Sequence, residues 1–324
     1  MKHRIVVLDG HTVNPGDNSW KEIAELGDLT VYDRTPADQI ISRAANADIV
    51  LTNKTPLTRE TLRALPDLRF IAVLATGHNV IDGQAARELG IDVSNVPTYG
   101  TASVAQHTIA LLLELCHRVG EHDTSIRRGE WAGQPDFCYW NHPLIELEGR
   151  TLGIIGYGRI GQKVGAIAHA IGMQILYLKK DSSRTFPHAQ GVSLSELAAE
   201  SDVISLHCAL TPSNTGFIDR KFLSQLKPSA MLVNTARGAL INEADLADAL
   251  AEGSIGGAAL DVLTQEPPNP NHPLLHAPRC VITPHMAWTS VFARRTLIEV
   301  TAKNVRAFLG GHSINVVNPT ASNL

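Results

Sequence analysis

Leu152-Gly153-Ile154-Ile155-Gly156-Tyr157-Gly158-Arg159-Ile160-Gly161 is the stretch that decides the fold. It opens with a short apolar run, the strand Leu152–Ile155, and the periodicity after it predicts a helix over Ile160–Ile171. The turn between them is G-x-G-x-x-G. In that setting Gly156 permits the tight turn, Gly158 lets the backbone approach a pyrophosphate, and Gly161 lets helix and strand pack closely. The N–H groups of the first helical turn then face the phosphates. A glycine-rich turn in any α/β protein is the alternative; the strand before, the helix after and the next strand on schedule favour a dinucleotide.

That next strand, Ile175–Leu178, should end on an acid that grips the adenosine ribose, roughly 20 residues past the motif. The place holds Lys179 instead, followed by Lys180, with Arg184 close by. Cations there favour a 2′-phosphate, so NADP is expected over NAD. Asp181, two residues late, is the competing ribose ligand, and a solvated charged turn is the plain alternative.

Outward from the motif, the same β/α alternation continues in both directions. Strands are expected at Val203–Leu206, Met231–Asn234, Ala258–Val262 and Val281–Thr283, with helices such as Leu194–Ala199 and Glu243–Ala251 between. The first hundred residues form a second series, with strands at Ile5–Leu8, Leu29–Tyr32, Ile49–Leu51, Phe70–Leu74 and Ile91–Val93. Helical stretches there include Ala37–Ala47 and Asp82–Leu89. Such alternation argues for α/β architecture with parallel sheets covered by helices. Val104–Val119 reads as an apolar connector helix, and its His107 as a satisfied core histidine. Residues 120–150 read as irregular, with Trp131, Phe137, Tyr139 and Trp140 concentrated in them. Val291–Leu309 reads as one amphipathic helix ended by Gly310-Gly311. The expected division is residues 99–287 as a nucleotide domain, inserted into a domain built from 1–98 and 288–324.

Composition agrees with two ordinary packed domains: 324 residues, 44% hydrophobic and 19% charged. A formal charge of −4 without a basic run disfavours nucleic acid and anionic membranes as partners. The start, Met1 to Gly10, is a short strand rather than a signal peptide, and no apolar run has the length of a membrane span. The four cysteines, at 116, 138, 208 and 280, lack paired spacing. Reduced thiols in a cytoplasmic protein are expected, and no metal site.

Five separated motifs together resemble those of the D-2-hydroxyacid dehydrogenase family. They are Gly156-Tyr-Gly-Arg-Ile-Gly161, His207-Cys-Ala-Leu-Thr-Pro212, Asn234-Thr-Ala-Arg-Gly238, Asp261-Val-Leu-Thr-Gln-Glu266-Pro and Thr283-Pro-His285-Met-Ala. The similarity runs over nearly the whole chain. Trp140 in the aromatic loop and Trp288 after His285 suggest the branch of glycerate dehydrogenases, or hydroxypyruvate reductases. The resemblance implies a flavodoxin-like substrate domain, a Rossmann nucleotide domain, and a homodimer with residues 120–150 as its arm.

Reducing a 2-oxo acid needs a hydride donor, a proton donor for the carbonyl oxygen and a cation for the carboxylate. His285 suits proton donation near neutral pH. Glu266 would hold its ring and favour the protonated form. Arg237 would clamp the carboxylate in a fork and polarise the carbonyl. All three follow predicted strands, where sequence-distant residues converge. Taken singly, each could be an ordinary surface charge or cap. The resemblance further implies that Arg159 and Ile160 lie against the pyrophosphate, and His207, Thr211 and Pro212 on the adenosine side. Thr235 and Ala236 fall on the nicotinamide side, and Asp261 orients the carboxamide. Leu74-Ala-Thr76-Gly77-His-Asn79 matches the substrate loop, its N–H groups binding the carboxylate opposite Arg237, with His78 a loop residue rather than a second acid. Trp140 of the partner subunit would enter the neighbouring site, or else simply anchor the dimer. The expected reaction is reduction of hydroxypyruvate or glyoxylate to the D-2-hydroxy acid, and its reverse. A D-lactate-type dehydrogenase and a dinucleotide-sensing corepressor are the alternatives.

Overall fold

A computed structural model of the chain describes residues 2–179 and 184–319. Lys180 and Asp181, weighed above for the ribose and its phosphate, lie outside the described residues. The chain divides into two compact units, Met1–Gly100 with Thr289–Leu324, and Thr101–Trp288.

The first unit holds a five-stranded sheet: β1 (Arg4–Val7), β2 (Asp28–Val31), β3 (Ile49–Thr52), β4 (Phe70–Val73) and β5 (Asp92–Ser94). Its order is β2-β1-β3-β4-β5, and every pair is parallel. β3 and β4 are buried along their whole length, which is why their sequences are continuous apolar runs rather than alternating ones. The helix Val291–Leu309 begins at Ser290, whose hydroxyl accepts from Ala293 N at 3.2 Å. It covers this sheet, with Phe308 stacked on Phe70 at 4.6 Å between centroids. Buried Arg294 on the same helix grips Asp17 with two bonds of 2.6 and 2.5 Å.

The second unit holds a seven-stranded parallel sheet: β6 (Thr151–Ile155), β7 (Gln174–Leu178), β8 (Ala189–Val192), β9 (Val203–Leu206), β10 (Met231–Asn234), β11 (Gly257–Leu260) and β12 (Cys280–Ile282). Its order is β12-β11-β10-β9-β6-β7-β8. Read from β8, this is the doubly wound nucleotide-binding order with one extra edge strand; the first sheet has the flavodoxin-like order. One core lies on each face of the larger sheet. Ile204, Leu232 and Leu260 belong to one, and Leu112, Ile154, Val164 and Val233 to the other.

Three readings of the sequence needed correction. The stretch from 120 is not irregular at its start: Arg118 takes a left-handed turn (φ 48°) after the helix Thr101–His117, and a second helix runs from Val119 to Arg127. Its polar pattern hid it, since it draws on ion pairs such as Arg127–Asp123 at 2.8 Å rather than on an apolar stripe. Edge strand β8 was missed because Ala-Gln-Gly-Val has neither alternation nor β-branched residues beyond Val192. The stretch Ala37–Ala47 is a 3₁₀ turn, Ala37–Gln39, followed by a short helix, Ile40–Ala44.

All four cysteines are free. Burial pushes the Cys116 thiol up to about 11 and the Cys280 thiol up to about 12, so neither is a thiolate near neutral pH. Among the described residues, no helix is long and apolar enough to cross a membrane.

Candidate active site

The glycine turn lies at the end of β6, beside the place where the strand order reverses between β6 and β9. Gly156 sits at φ +102°, and a Cβ there would lie 2.4 Å from Cys208 N, so the turn after β6 is pressed against the turn after β9. Gly158 differs. A Cβ built on it meets nothing within 4 Å, so the backbone here is open to a ligand. It N-caps the helix Arg159–Ala170 without a side-chain cap. The leading N–H groups of a helix have no intrahelical acceptor, and an anion is favoured there. These features fit a dinucleotide pyrophosphate.

Lys179 is exposed just beyond β7, its N–H bonded to Val192 O at 3.0 Å. Arg184 is exposed too, and its carbonyl accepts from the Tyr177 hydroxyl at 2.9 Å. His207 follows β9, its Nε2 2.8 Å from Ser205 Oγ. Burial pushes its pKa down to about 4, although part of its surface still meets solvent, so it is a neutral ring near pH 7. Thr211 and Pro212 are exposed in a 3₁₀ turn capped by Thr211.

The three residues expected to do chemistry follow β10, β11 and β12, which are adjacent and parallel. The structure brings Glu266 and His285 together: His285 Nδ1 donates to Glu266 Oε2 at 2.5 Å. The carboxylate is aimed by a second bond, from Leu263 N to Oε1 at 3.0 Å. With Nδ1 committed, Nε2 on the far side of the ring is the nitrogen that could exchange a proton with a ligand. Arg237 is exposed, its Nη1 resting on its own turn at Ala236 O, 2.6 Å away. That turn is shaped by Asn234, which accepts from Ala236 N at 2.9 Å and donates to Arg237 O at 2.8 Å. A Cβ on Gly238 would lie 2.0 Å from the carbonyl carbon of Leu263, so the turns bearing Arg237 and Glu266 are in backbone contact. Thr235 is buried and its hydroxyl meets that of Thr108 at 2.9 Å.

Asp261 is 1% exposed at the end of β11. Its Oδ1 accepts from Thr283 Oγ1 (2.6 Å) and Met286 N (2.8 Å), and its Oδ2 from Ala287 N (2.9 Å). Burial raises the pKa of this carboxyl, but the bonds from His107, Thr283, Ala287 and Met286 outweigh it and hold the pKa below the usual range. Asn234 and Thr283 open two of the quoted motifs, but the sequence reading gives neither a role. An Asn that closes a buried strand just before Thr-Ala-Arg-Gly is the signal for the first; for Thr283 the only signal is its place two residues before His285.

In the first unit, Thr76 hangs on the segment after β5. Its hydroxyl donates to Val96 O (2.8 Å), and its carbonyl accepts from Asn95 Nδ2 (2.6 Å). These bonds tie the loop at Thr76, next to Gly77. In the aromatic stretch, Phe137 is 88% and Trp140 66% exposed, whereas the Tyr139 hydroxyl is bonded to Ser125 at 2.7 Å.

A doubly wound sheet with a glycine turn, and a carboxylate–histidine pair on neighbouring strand ends, define a nicotinamide-dependent oxidoreductase. The chain belongs to the D-2-hydroxyacid dehydrogenase family: residues 109–287 match the description "D-isomer specific 2-hydroxyacid dehydrogenase, NAD binding domain". A hydroxypyruvate reductase of Blautia hydrogenotrophica is 48% identical over 97% of this chain and 99% of its own. A glycerate dehydrogenase of Methylorubrum extorquens is 39% identical over 98% and 99%. Among solved structures, an NADPH-dependent glyoxylate/hydroxypyruvate reductase of Sinorhizobium meliloti, in complex with NADP and malonate, superposes with a TM-score of 0.84. It is 27% identical, with 98% of this chain and 97% of that one covered.

Proposed function

We propose that this chain reduces hydroxypyruvate or glyoxylate to the D-2-hydroxy acid, and catalyses the reverse, with NADPH preferred to NADH. The observation that carries the chemistry is the 2.5 Å bond from His285 Nδ1 to Glu266, at adjacent strand ends beyond the glycine turn. The nicotinamide, when bound, supplies the hydride to the carbonyl carbon. His285 Nε2 delivers the proton to the carbonyl oxygen, and Glu266 stabilises the charged ring before that transfer. Arg237 binds the substrate carboxylate and polarises the carbonyl. Thr76 and Gly77 add backbone donors for the same carboxylate.

Gly156, Gly158, Arg159, Ile160 and Gly161 hold the pyrophosphate; His207, Thr211 and Pro212 bound the adenosine, and Thr235 and Ala236 the nicotinamide. A carboxylate oxygen accepts more than one donor, so Asp261 Oδ2 also takes the carboxamide N–H. Lys179 supports NADPH, because a lysine stands where an NAD site needs an acid. The hydroxypyruvate reductase and glycerate dehydrogenase relatives support the substrate. Exposed Phe137 and Trp140 support a homodimer in which Trp140 reaches the partner's site.

Initial rates with NADPH and NADH on hydroxypyruvate, glyoxylate and pyruvate test this reading. Fastest turnover on hydroxypyruvate or glyoxylate with NADPH is expected. Preference for pyruvate would make the chain a D-lactate-type enzyme, and tight cofactor binding without turnover would make it a sensor.

A further inference from the structure

The helix Thr101–His117 carries Ser103 and His107 one turn apart, on one face. Ser103 Oγ donates to Ala287 O at 2.7 Å. His107 Nε2 lies 3.0 Å from Thr283 Oγ1 and 3.4 Å from Asp261 Oδ1. The two side chains therefore hold the segment 283–287 at its ends, with His285 between. That segment has an unusual backbone. His285 is at φ +52°, a left-handed conformation that a residue with a side chain keeps only where its surroundings fix it. Its N–H is held by Asp261 O (2.8 Å) and Thr283 O (3.0 Å).

The hydrogen positions follow from the partners. Asp261 is an ionised acceptor, so the Thr283 hydroxyl must give its proton to Oδ1 at 2.6 Å. Thr283 Oγ1 is then an acceptor toward the ring, and His107 Nε2 carries the proton that fills it. The result is a directed network: the His107 Nε2–H points to Thr283 Oγ1 and, at the longer 3.4 Å, to Asp261 Oδ1, while Thr283, Met286 N and Ala287 N donate to Asp261.

We propose that His107 is a positioning residue for the general acid, its Nε2–H fixing the Thr283–Asp261 pair that sets the backbone, and hence the ring, of His285. This rests on the reading of His285 as the acid. Loss of the donor leaves Thr283 Oγ1 with an empty acceptor site and frees the hydroxyl to turn from Asp261. The turn bearing His285 then loses one of the bonds that impose its left-handed backbone. Arg237 stands on a turn shaped by Asn234 and makes no bond to His107 or Thr283, so the KM for hydroxypyruvate is expected to change little.

The test uses the full chain with NADPH and hydroxypyruvate. His107→Phe keeps the bulk and removes the donor; His107→Gln returns an amide N–H close to where Nε2 lies. His107→Phe is expected to lower kcat by about 10- to 100-fold, the scale of a misplacement near 1 Å, with KM for hydroxypyruvate nearly unchanged. His107→Gln should regain most of that loss. Thr283→Val should lower kcat by itself, and combining it with His107→Phe should cost little more, because members of one network are not additive. A His107→Phe enzyme with the wild-type kcat overturns the proposal. So does a His107→Gln enzyme as slow as the phenylalanine variant, which would mean packing alone matters. Should the phenylalanine variant not fold, Thr283→Val decides by the same criterion, and an unchanged kcat there refutes the chain of bonds. A His285→Ala enzyme with full activity is a different failure, because it removes the acid and takes this inference with it.

Discussion

Each of the two sheets reverses its strand order once, between β1 and β3 in the smaller and between β6 and β9 in the larger. Parallel α/β sheets open a ligand crevice at such a point, yet the two are finished differently. Beyond β6 the chain turns on Gly156 and leads through Gly158, with open space beside it, into a twelve-residue helix without a side-chain cap. Beyond β1 stands Asp9, whose carboxylate accepts from Asn53 N (2.8 Å), Lys54 N (2.5 Å) and Thr55 N (2.8 Å) in the turn after β3. The smaller sheet has thus filled its anion site with a carboxylate of its own. In the larger sheet no aspartate stands at the corresponding place, and the proposed anion there is the cofactor's pyrophosphate. On the proposed reading, the same architecture gives a cofactor site in one unit and an internal tie in the other, with a glycine at one strand end and an aspartate at the other.

The largest expected break in this comparison comes from Gly156→Ala. A side chain at φ +102° and against Cys208 N brings both strain and overlap, together roughly 2–6 kcal/mol. NADPH binding, followed by fluorescence titration, should weaken by about thirtyfold or more if the turn that seats the pyrophosphate bears this cost, since each 1.4 kcal/mol is about tenfold. An unchanged affinity would mean that the glycine turn is not the cofactor's seat. Smaller, and of a different kind, is Asp9→Ala. Three N–H groups lose their acceptor, and a partly buried donor left bare costs about 1–3 kcal/mol. The melting temperature should fall while NADPH affinity stays the same. If affinity fell and stability did not, the crevice beyond β1 would be a binding site after all.

Much of this was legible in the sequence, for physical reasons that differ from place to place. Strands such as β3, β4, β9 and β10 are buried throughout, so their apolar runs announce them. The glycine turn is legible because Gly156 and Gly161 have no room for a side chain and stand in fixed register around Gly158. Asp9 is not, since an aspartate after a strand looks alike whether it meets solvent or three backbone donors. The helix Val119–Arg127 buries only Ser125 and has no apolar stripe to give it away. The apolar helix around His107 points to the core and not to a site; its partners, Thr283 and Asp261, lie more than 150 residues further along the chain. Glu266 and His285 could be paired only by placing their strands side by side, a step that the family resemblance supplied before β11 and β12 did.

The central claim is that His285, oriented by Glu266, gives the proton that completes hydride reduction. Its most direct test is kcat for His285→Ala with hydroxypyruvate and NADPH, alongside NADPH titration of the same protein. A fall of about 10²–10⁴-fold in kcat is predicted, the scale of lost general acid catalysis, with cofactor affinity close to that of the native chain. A kcat near the native value would contradict the claim.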